Sequence, residues 1–405
     1  MTPRRRRRGL IERVRHRTPR YLAQFAALRL VHLLGARELE FPLLPDDLAD
    51  SQSLPPFSPP AAPGRPLRIG WLTIPPGPGS GGHTTQFRMM QAAERAGMRN
   101  TLLLYDRHAG DLADRIDTIR TSWPWLSADI RPVPPEIRGF DALVATSWPT
   151  AHVLARRGRE GQRAYFIQDY EPYFSPRGAE YALAEDTYRF GFRNIALGQM
   201  VRDCLRDEAG VGSDLVPFGC DTEVYALQEH GQRRRGVVLY ARQGTDRRGF
   251  TLAMRALEVF HGRLPSEPIH VYGDALSDAP FPVVSHGNLT PSELNDLYST
   301  VTAGLALSFT NISLVAEEML AAGVVPVVND SALARADMPN PHVAWALPTP
   351  HALADALVAA VARPDLDAHA AEVAQSVIGR SWHETEQQVV RILADTITPS
   401  PHSTG

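Results

Sequence analysis

The run from Leu305 to Asp330, LALSFTNISLVAEEMLAAGVVPVVND, limits the fold more than any other segment. It reads as a buried strand, a polar loop, a short helix carrying Glu317 and Glu318, a stop at Gly323 and a second buried strand. Strands covered on both faces of a parallel sheet appear as short continuous apolar runs, as these two do. The unit therefore predicts a helix N-terminus and, one turn further on, a carboxylate at the carboxyl edge of a parallel sheet. Ligands of open α/β folds bind at that edge. Phosphates suit the helix amides, and ribose hydroxyls suit the glutamate.

The same alternation extends in both directions. Upstream, strands are predicted at Leu67–Thr73, Thr101–Tyr105, Ala142–Thr146, Ala164–Gln168 and Asn194–Leu197. Helices are expected at His83–Ala96, Ala179–Arg189 and Gln199–Asp207. After a polar break, His230–Arg235, a second series follows at Gly236–Ala241, Ile269–Gly273, Val283–Gly287, Ala303–Ser308 and Val324–Asn329. Alternating strands and helices imply parallel sheets with helices on both faces. The expected fold class is α/β: two Rossmann-like, doubly wound domains facing a cleft, at residues 67–229 and 230–380, with a last helix over 381–398. A chain of 405 residues is long enough for both. Residues 1–66 are expected to be a basic arm and a linker. Leu22–Leu34 could form a short helix, and Ser53–Pro66 is too proline-rich to hold regular structure.

Composition removes several function classes. The chain has no lysine, so a GxxxxGK phosphate loop and lysine Schiff-base chemistry are excluded. Nine arginines lie in the first 20 residues, against Glu12 alone, so the remainder is net acidic. An acidic body argues against a nucleic-acid-binding core. Cys204 and Cys220 have neither CxxC spacing nor the pattern of a disulfide framework, which suits a reducing compartment. There is no apolar run long enough to span a membrane and no secretory leader pattern, so a cytoplasmic location is expected. Clustered His, Cys and Asp ligands are also missing, and no metal or cofactor is expected.

The candidate chemistry is concentrated in the second half. Arg242 ends one predicted strand, and Arg247-Arg248-Gly249 opens the next helix. Two guanidiniums so placed can clamp a diphosphate; the same arginines would also make an ordinary solvated cluster. Glu318 shares a helix face with Leu314 and could serve ribose or be an ordinary surface residue, and Glu317 beside it reads as a surface residue. The backbone at Gly287 and Asn288 could take a base edge or simply form a turn. In the first half, the Gly77–Gly82 loop lacks GxGxxG spacing but could lie against phosphate or sugar. Asp169 and Glu171 stand among Tyr170, Tyr173 and Phe174 at a strand end, a composition suited to sugars or to a packed loop. His83, Arg88 and Trp148 are lesser candidates, with capping and packing as their alternatives.

Together, YARQGTDRRGF, HVYGD, VVSHGNLTPSELNDLYSTVTAGLALS, LVAEEMLAAGVVPVV and SWHETEQQVVRIL resemble the retaining glycosyltransferases of GT-B fold, family four or group 1 type. Arg248 stands where that family usually has lysine. FIQDYEPYFSPRGAEYALAEDTYRFGF and VPFGCDTEVY are similar, more narrowly, to the WsaF-type rhamnosyltransferases. The resemblance implies a donor site built from Gly82, Arg242, Arg248, Gly273, Gly287, Asn288, Thr310, Asn311, Ile312, Ser313, Leu314 and Glu318. Arg242, Arg248, Glu318 and Asp169 are the implied catalytic residues, with His83, Asp169, Tyr170 and Glu171 toward the acceptor or cleft. The implied donor is dTDP-L-rhamnose, the acceptor a glycan or lipid-linked glycan, and the chemistry independent of metal. The family usually has two glutamates in the donor loop, and Thr310 replaces the first, which agrees with a deoxysugar donor. An epimerase of the same shape and a degenerate transferase serving as a glycan-binding subunit are the rival readings. The arginine-rich arm could touch anionic lipid at the inner face of the membrane, or be a simple tail.

Overall fold

The computed structural model describes residues 39–58, 66–228, 233–276, 278–312 and 314–397, with scattered positions between 23 and 34. The Arg4–Arg20 arm and Ser313 lie outside the described residues. The chain forms two compact units, Met1–Leu48 and Ala49–Gly405. In the first, the described positions from 23 to 33 are helical, Leu30, Leu33 and Leu34 are exposed, and a single turn occupies Pro45–Asp47.

The second unit carries two parallel sheets. The first has seven strands: β1 Arg68–Thr73, β2 Arg99–Leu104, β3 Asp129–Pro132, β4 Ala142–Ala145, β5 Gln162–Ile167, β6 Arg193–Leu197 and β7 Asp214–Val216, in the order β3-β2-β1-β4-β5-β6-β7. The second has six: β8 Val237–Ala241, β9 Ile269–Gly273, β10 Val284–Ser285, β11 Ala303–Leu305, β12 Val325–Asn329 and β13 Ala344–Ala346, in the order β10-β9-β8-β11-β12-β13. Every strand pairing is parallel. In each sheet the winding reverses beside the first strand, between β1 and β4 and between β8 and β11. A crevice opens at such a reversal, at the carboxyl ends of the strands.

The strands form where apolar runs can be covered on both sides. All four residues of β4 and all five of β12 are buried. Trp71, Phe87, Tyr165 and Phe166 fill the first core, and Phe260, Leu257, Val271 and Met319 belong to the second. The last helix, His383–Ile397, buries Val389, Leu393 and Ile397, spaced four apart on one face. It lies on the first domain: Glu386 pairs with Arg95 at 2.7 Å, and Arg193 donates to the Ile392 carbonyl at 3.2 Å.

Residues 49–58 depart from the expected linker. Ser51 donates to both carboxylate oxygens of Asp186, through its hydroxyl at 2.6 Å and its amide at 3.0 Å. The Ala49 amide donates to His152 Nδ1 at 3.1 Å, and the Arg163 guanidinium lies 3.9 Å from the Phe57 ring centroid. Proline prevents regular hydrogen bonding here but does not prevent an extended strap from packing by its side chains. Among the described residues, no helix is long and apolar enough to cross a membrane.

Candidate active site

The second sheet's reversal brings the expected donor residues together. Arg242 leaves the end of β8, with its guanidinium 3.8 Å from the Asp274 carboxylate and 5.6 Å from the Tyr240 ring centroid. Arg248 reaches across from the next loop and donates to Ser308 Oγ at 2.9 Å. Burial lowers its pKa, and the nearby Asp169 carboxylate opposes that shift. The Gly249 that follows has φ +63, and a Cβ there would lie 3.0 Å from the Phe309 ring, so a side chain would be strained by the turn and would press on that ring. Gly273 and Gly287 meet at the mouth, the Gly273 amide donating to the Gly287 carbonyl at 2.8 Å, and Asn288 is exposed beside them.

Beyond Leu305, β11 gives way to side-chain pairing. The Ser308 amide donates to Asn329 Oδ1 at 2.8 Å, and Asn329 Nδ2 returns a bond to the Ser308 carbonyl at 2.7 Å. This clamp replaces the ladder and turns the chain into the loop carrying Thr310, Asn311 and Ile312, all buried. The helix Leu314–Ala321 follows. Its Glu318 is half-buried; burial and then the Asp221 carboxylate push its pKa up to about 7. Glu318 lies near the phenols of Tyr225, Tyr272 and Tyr240, the last also beside Arg242 and Arg248. Glu317 is not the expected surface residue. It is 1% exposed and pairs with Arg380 at 3.1 Å, because the chain crossing back toward the first domain passes over that side of the helix.

The first domain closes on this loop. Thr310 donates to Asp169 Oδ1 at 2.8 Å, and Asn311 Nδ2 donates to the Gln168 carbonyl at 3.3 Å. Burial raises the Asp169 pKa; the Arg248 and Arg247 guanidiniums and the Thr310 bond pull it back. Thr310, read in the sequence as a missing carboxylate, is thus matched with a carboxylate from the opposite domain. A second crossing lies one strand away. Asp337, on the helix Ala332–Asp337, accepts the Gln199 amide with one carboxylate oxygen and the Met200 amide at 2.9 Å with the other. It thereby caps the first-domain helix Gln199–Asp207, a role that nothing in its local sequence announces.

Other expected cleft residues are engaged elsewhere. Tyr170 is fully buried, its hydroxyl donating to Glu185 at 3.3 Å. Glu171 is buried too, accepting the Trp148 amide at 2.8 Å and the Tyr165 hydroxyl at 3.1 Å. It caps the helix Trp148–Arg157, and burial raises its pKa to about 8. Both are corrected from acceptor contacts to packing residues, since the turn at Glu171–Phe174 directs them into the first core. His83 bridges the glycine loop, from Ser80 Oγ at 2.8 Å to the Ile74 carbonyl at 3.3 Å, and burial lowers its pKa to about 4. The neighbouring Gly82 carbonyl accepts Gln168 Nε2 at 2.9 Å. Trp148 is buried, and Arg88 pairs with Asp221 at 2.9 Å, 5.7 Å from the Trp382 ring centroid.

Fixed cations and helix amides on one wall, with a carboxylate one turn deeper, can hold an anionic group beside a polyhydroxylated one. Residues 235–358 match the WsaF C-terminal domain, and residues 128–200 match the WsaF N-terminal domain. An O-antigen biosynthesis protein, RfbC, from Myxococcus xanthus is 29% identical over 339 residues, covering 77% of this chain and 26% of that protein. The chain therefore spans about a quarter of this relative's length. The solved structure of Anabaena Alr3699/HepE in complex with UDP and glucose aligns at TM-score 0.60 and 14% identity, covering 81% of this chain and all of that one. WaaG, a glycosyltransferase involved in lipopolysaccharide biosynthesis, aligns at TM-score 0.59 and 12% identity, over 82% of this chain and all of that one. At such identities the two structures speak for the fold.

Proposed function

We propose that the chain is a GT-B glycosyltransferase of group 1 type related to WsaF, and that it transfers a sugar from a nucleotide-sugar to a glycan acceptor in surface polysaccharide synthesis. The observation that carries the reading is the convergence of Arg242, Arg248, the Leu314–Ala321 helix and Glu318 on the crevice between β8 and β11. Arg242 and Arg248 stabilise the leaving diphosphate as negative charge develops, and the amides that open the helix add to this. The donors are fixed before reaction: Arg248 by Ser308, and Ser308 in turn by Asn329. Glu318 accepts the ribose hydroxyls.

The finer reading is a retaining, metal-independent rhamnosyltransferase using dTDP-L-rhamnose, with a donor phosphate oxygen taking the acceptor proton. A donor loop that offers Thr310 in place of a free carboxylate supports a sugar with fewer hydroxyls to hold. The enzyme would work in the cytoplasm, its arginine-rich arm against anionic lipid. Liposome co-sedimentation with and without residues 1–35 tests that last point, and equal binding ends it.

Thermal shift with dTDP, UDP and GDP, then with their sugars, is the first test. Stabilisation by dTDP and dTDP-L-rhamnose is expected; failure of every nucleotide to bind favours a glycan-binding subunit instead. Product analysis by NMR then reads the anomeric configuration. A changed sugar nucleotide formed without any acceptor identifies an epimerase and overturns the transferase reading.

A further inference from the structure

Two phenylalanine rings stay open to solvent where the domains meet. Phe174, at the end of the first-domain turn Glu171–Phe174, is 38% exposed, and Phe309, in the second-domain donor loop, is 42% exposed. Both flank Arg247. The Arg247 guanidinium lies 4.2 Å from the Phe174 ring centroid, across the domain boundary. The Arg247 carbonyl accepts the Phe309 amide at 3.1 Å, and the Phe309 ring lies over Gly249 at the start of the next helix. Arg247 Nε is buried without a hydrogen-bond partner. A hidden N–H left unpaired costs free energy, so a nearby acceptor would improve the site.

Position gives these features a meaning. The Asp169–Thr310 and Gln168–Asn311 bonds fix the Phe174 turn and the Phe309 loop to each other beside the donor crevice. Arg248, which holds Ser308, is the next residue in the chain after Arg247. Aromatic rings cover the apolar C–H faces of sugars, and a guanidinium offers several donors to hydroxyls. Scattered exposed apolar side chains are ordinary; two rings from opposite domains meeting the Arg247–Gly249 segment, one over the Arg247 guanidinium and one over Gly249, are not scattered.

We propose that Phe174, Arg247 and Phe309 form the platform for the acceptor's sugar ring. The rings take its C–H faces and Arg247 takes hydroxyls, leaving one sugar oxygen directed at the donor. This rests on the transferase reading. Because the platform spans both domains, the acceptor subsite is complete only when they are held together.

Saturation-transfer NMR tests it directly, with dTDP present and methyl α-L-rhamnopyranoside as probe. Strong transfer to the probe's ring protons is expected in the wild type, with loss in Phe309→Ala and Phe174→Ala. Phe309→Tyr and Phe174→Tyr should restore it, while Phe174→Leu, which keeps the bulk without the ring, should not. In turnover assays the alanine changes should raise the acceptor KM about tenfold, the scale of one aromatic contact, and Phe174→Ala, which lies outside the donor loop, should leave dTDP affinity by calorimetry unchanged. If the wild type binds dTDP but gives no transfer, or if wild type and alanine variants give equal transfer, the platform is wrong. If dTDP does not bind the wild type, the transferase reading fails instead.

Discussion

Glu318 combines burial with the need to be charged, and that conflict has a measurable sign. Its carboxyl titrates near 4.5 in an unfolded chain and at about 7 in the fold. Folding therefore favours the protonated form, a stabilisation fully present below 4.5 and lost as pH rises through about 7, worth on the order of 3 kcal/mol. Urea unfolding of the ligand-free protein should show stability falling between pH 5 and pH 8, and Glu318→Gln should reduce that slope, leaving the part that Glu171 contributes. Nucleotide should behave oppositely, binding more tightly toward pH 8 with release of a proton, since an ionised carboxylate accepts ribose hydroxyls best. Equal slopes in wild type and variant would remove Glu318 from the site. Thr310 carries a second prediction. Thr310→Val keeps the shape but leaves Asp169 without its side-chain donor, at a cost of about 1–3 kcal/mol. Denaturant unfolding checks this, and an unchanged midpoint would show that the bond contributes nothing. Residues of this kind set the limit of sequence reading. The places of Arg242, Arg248 and Glu318 in the fold are legible because strand ends and helix starts announce them. Glu317, Tyr170 and Glu171 are misleading because only the packing of distant segments decides which way they face.

Elements were legible where burial is two-sided. β4, β5, β8 and β12 are short apolar runs between turns, and each forms within about two residues of its expected span. Edge strands were less so: β3 is DIRP, with Ile130 its one buried residue, and β13 is AWA, while β10, also at an edge, falls inside its expected Val283–Gly287. An edge strand needs only one partner, so it leaves little apolar signal. The expected Ala303–Ser308 strand stops at Leu305 because Asn329 takes over the pairing through its side chain. Such a substitution has no periodicity to detect. The loop-to-helix turn at Gly249 is an element whose conformation can be tested. Gly249→Ala places a Cβ at positive φ and against Phe309, so a cost of about 1–2 kcal/mol is expected. The donor loop should shift with it, and dTDP affinity by calorimetry should fall several-fold. Full stability together with unchanged affinity would mean that the turn does not set the loop.

At the scale of the whole Ala49–Gly405 unit, each domain reaches into the other with a carboxylate. Asp169 of the first accepts Thr310 of the second, and Asp337 of the second caps the first-domain helix Gln199–Asp207. The second contact is closely fitted. Gly198 has φ +92, and a Cβ there would lie 2.8 Å from both Asp337 carboxylate oxygens. Asp337 follows β12, whose last residue, Asn329, clamps Ser308 in the donor loop. Loss of the cap should therefore release the domains and loosen the loop together. Asp337→Ala leaves two helix amides without acceptors, costing about 2 kcal/mol; Asp337→Asn keeps one oxygen acceptor and should fall between. Spin labels at exposed Asp117→Cys in the first domain and Arg255→Cys in the second allow the separation to be measured by double electron–electron resonance. The expected outcome is a narrow distance distribution in the parent protein, broadened toward longer distances in Asp337→Ala and narrowed again by dTDP if the donor itself draws the domains together. A variant that loses stability with no change in the distribution would reduce Asp337 to a helix cap with no part in holding the cleft closed.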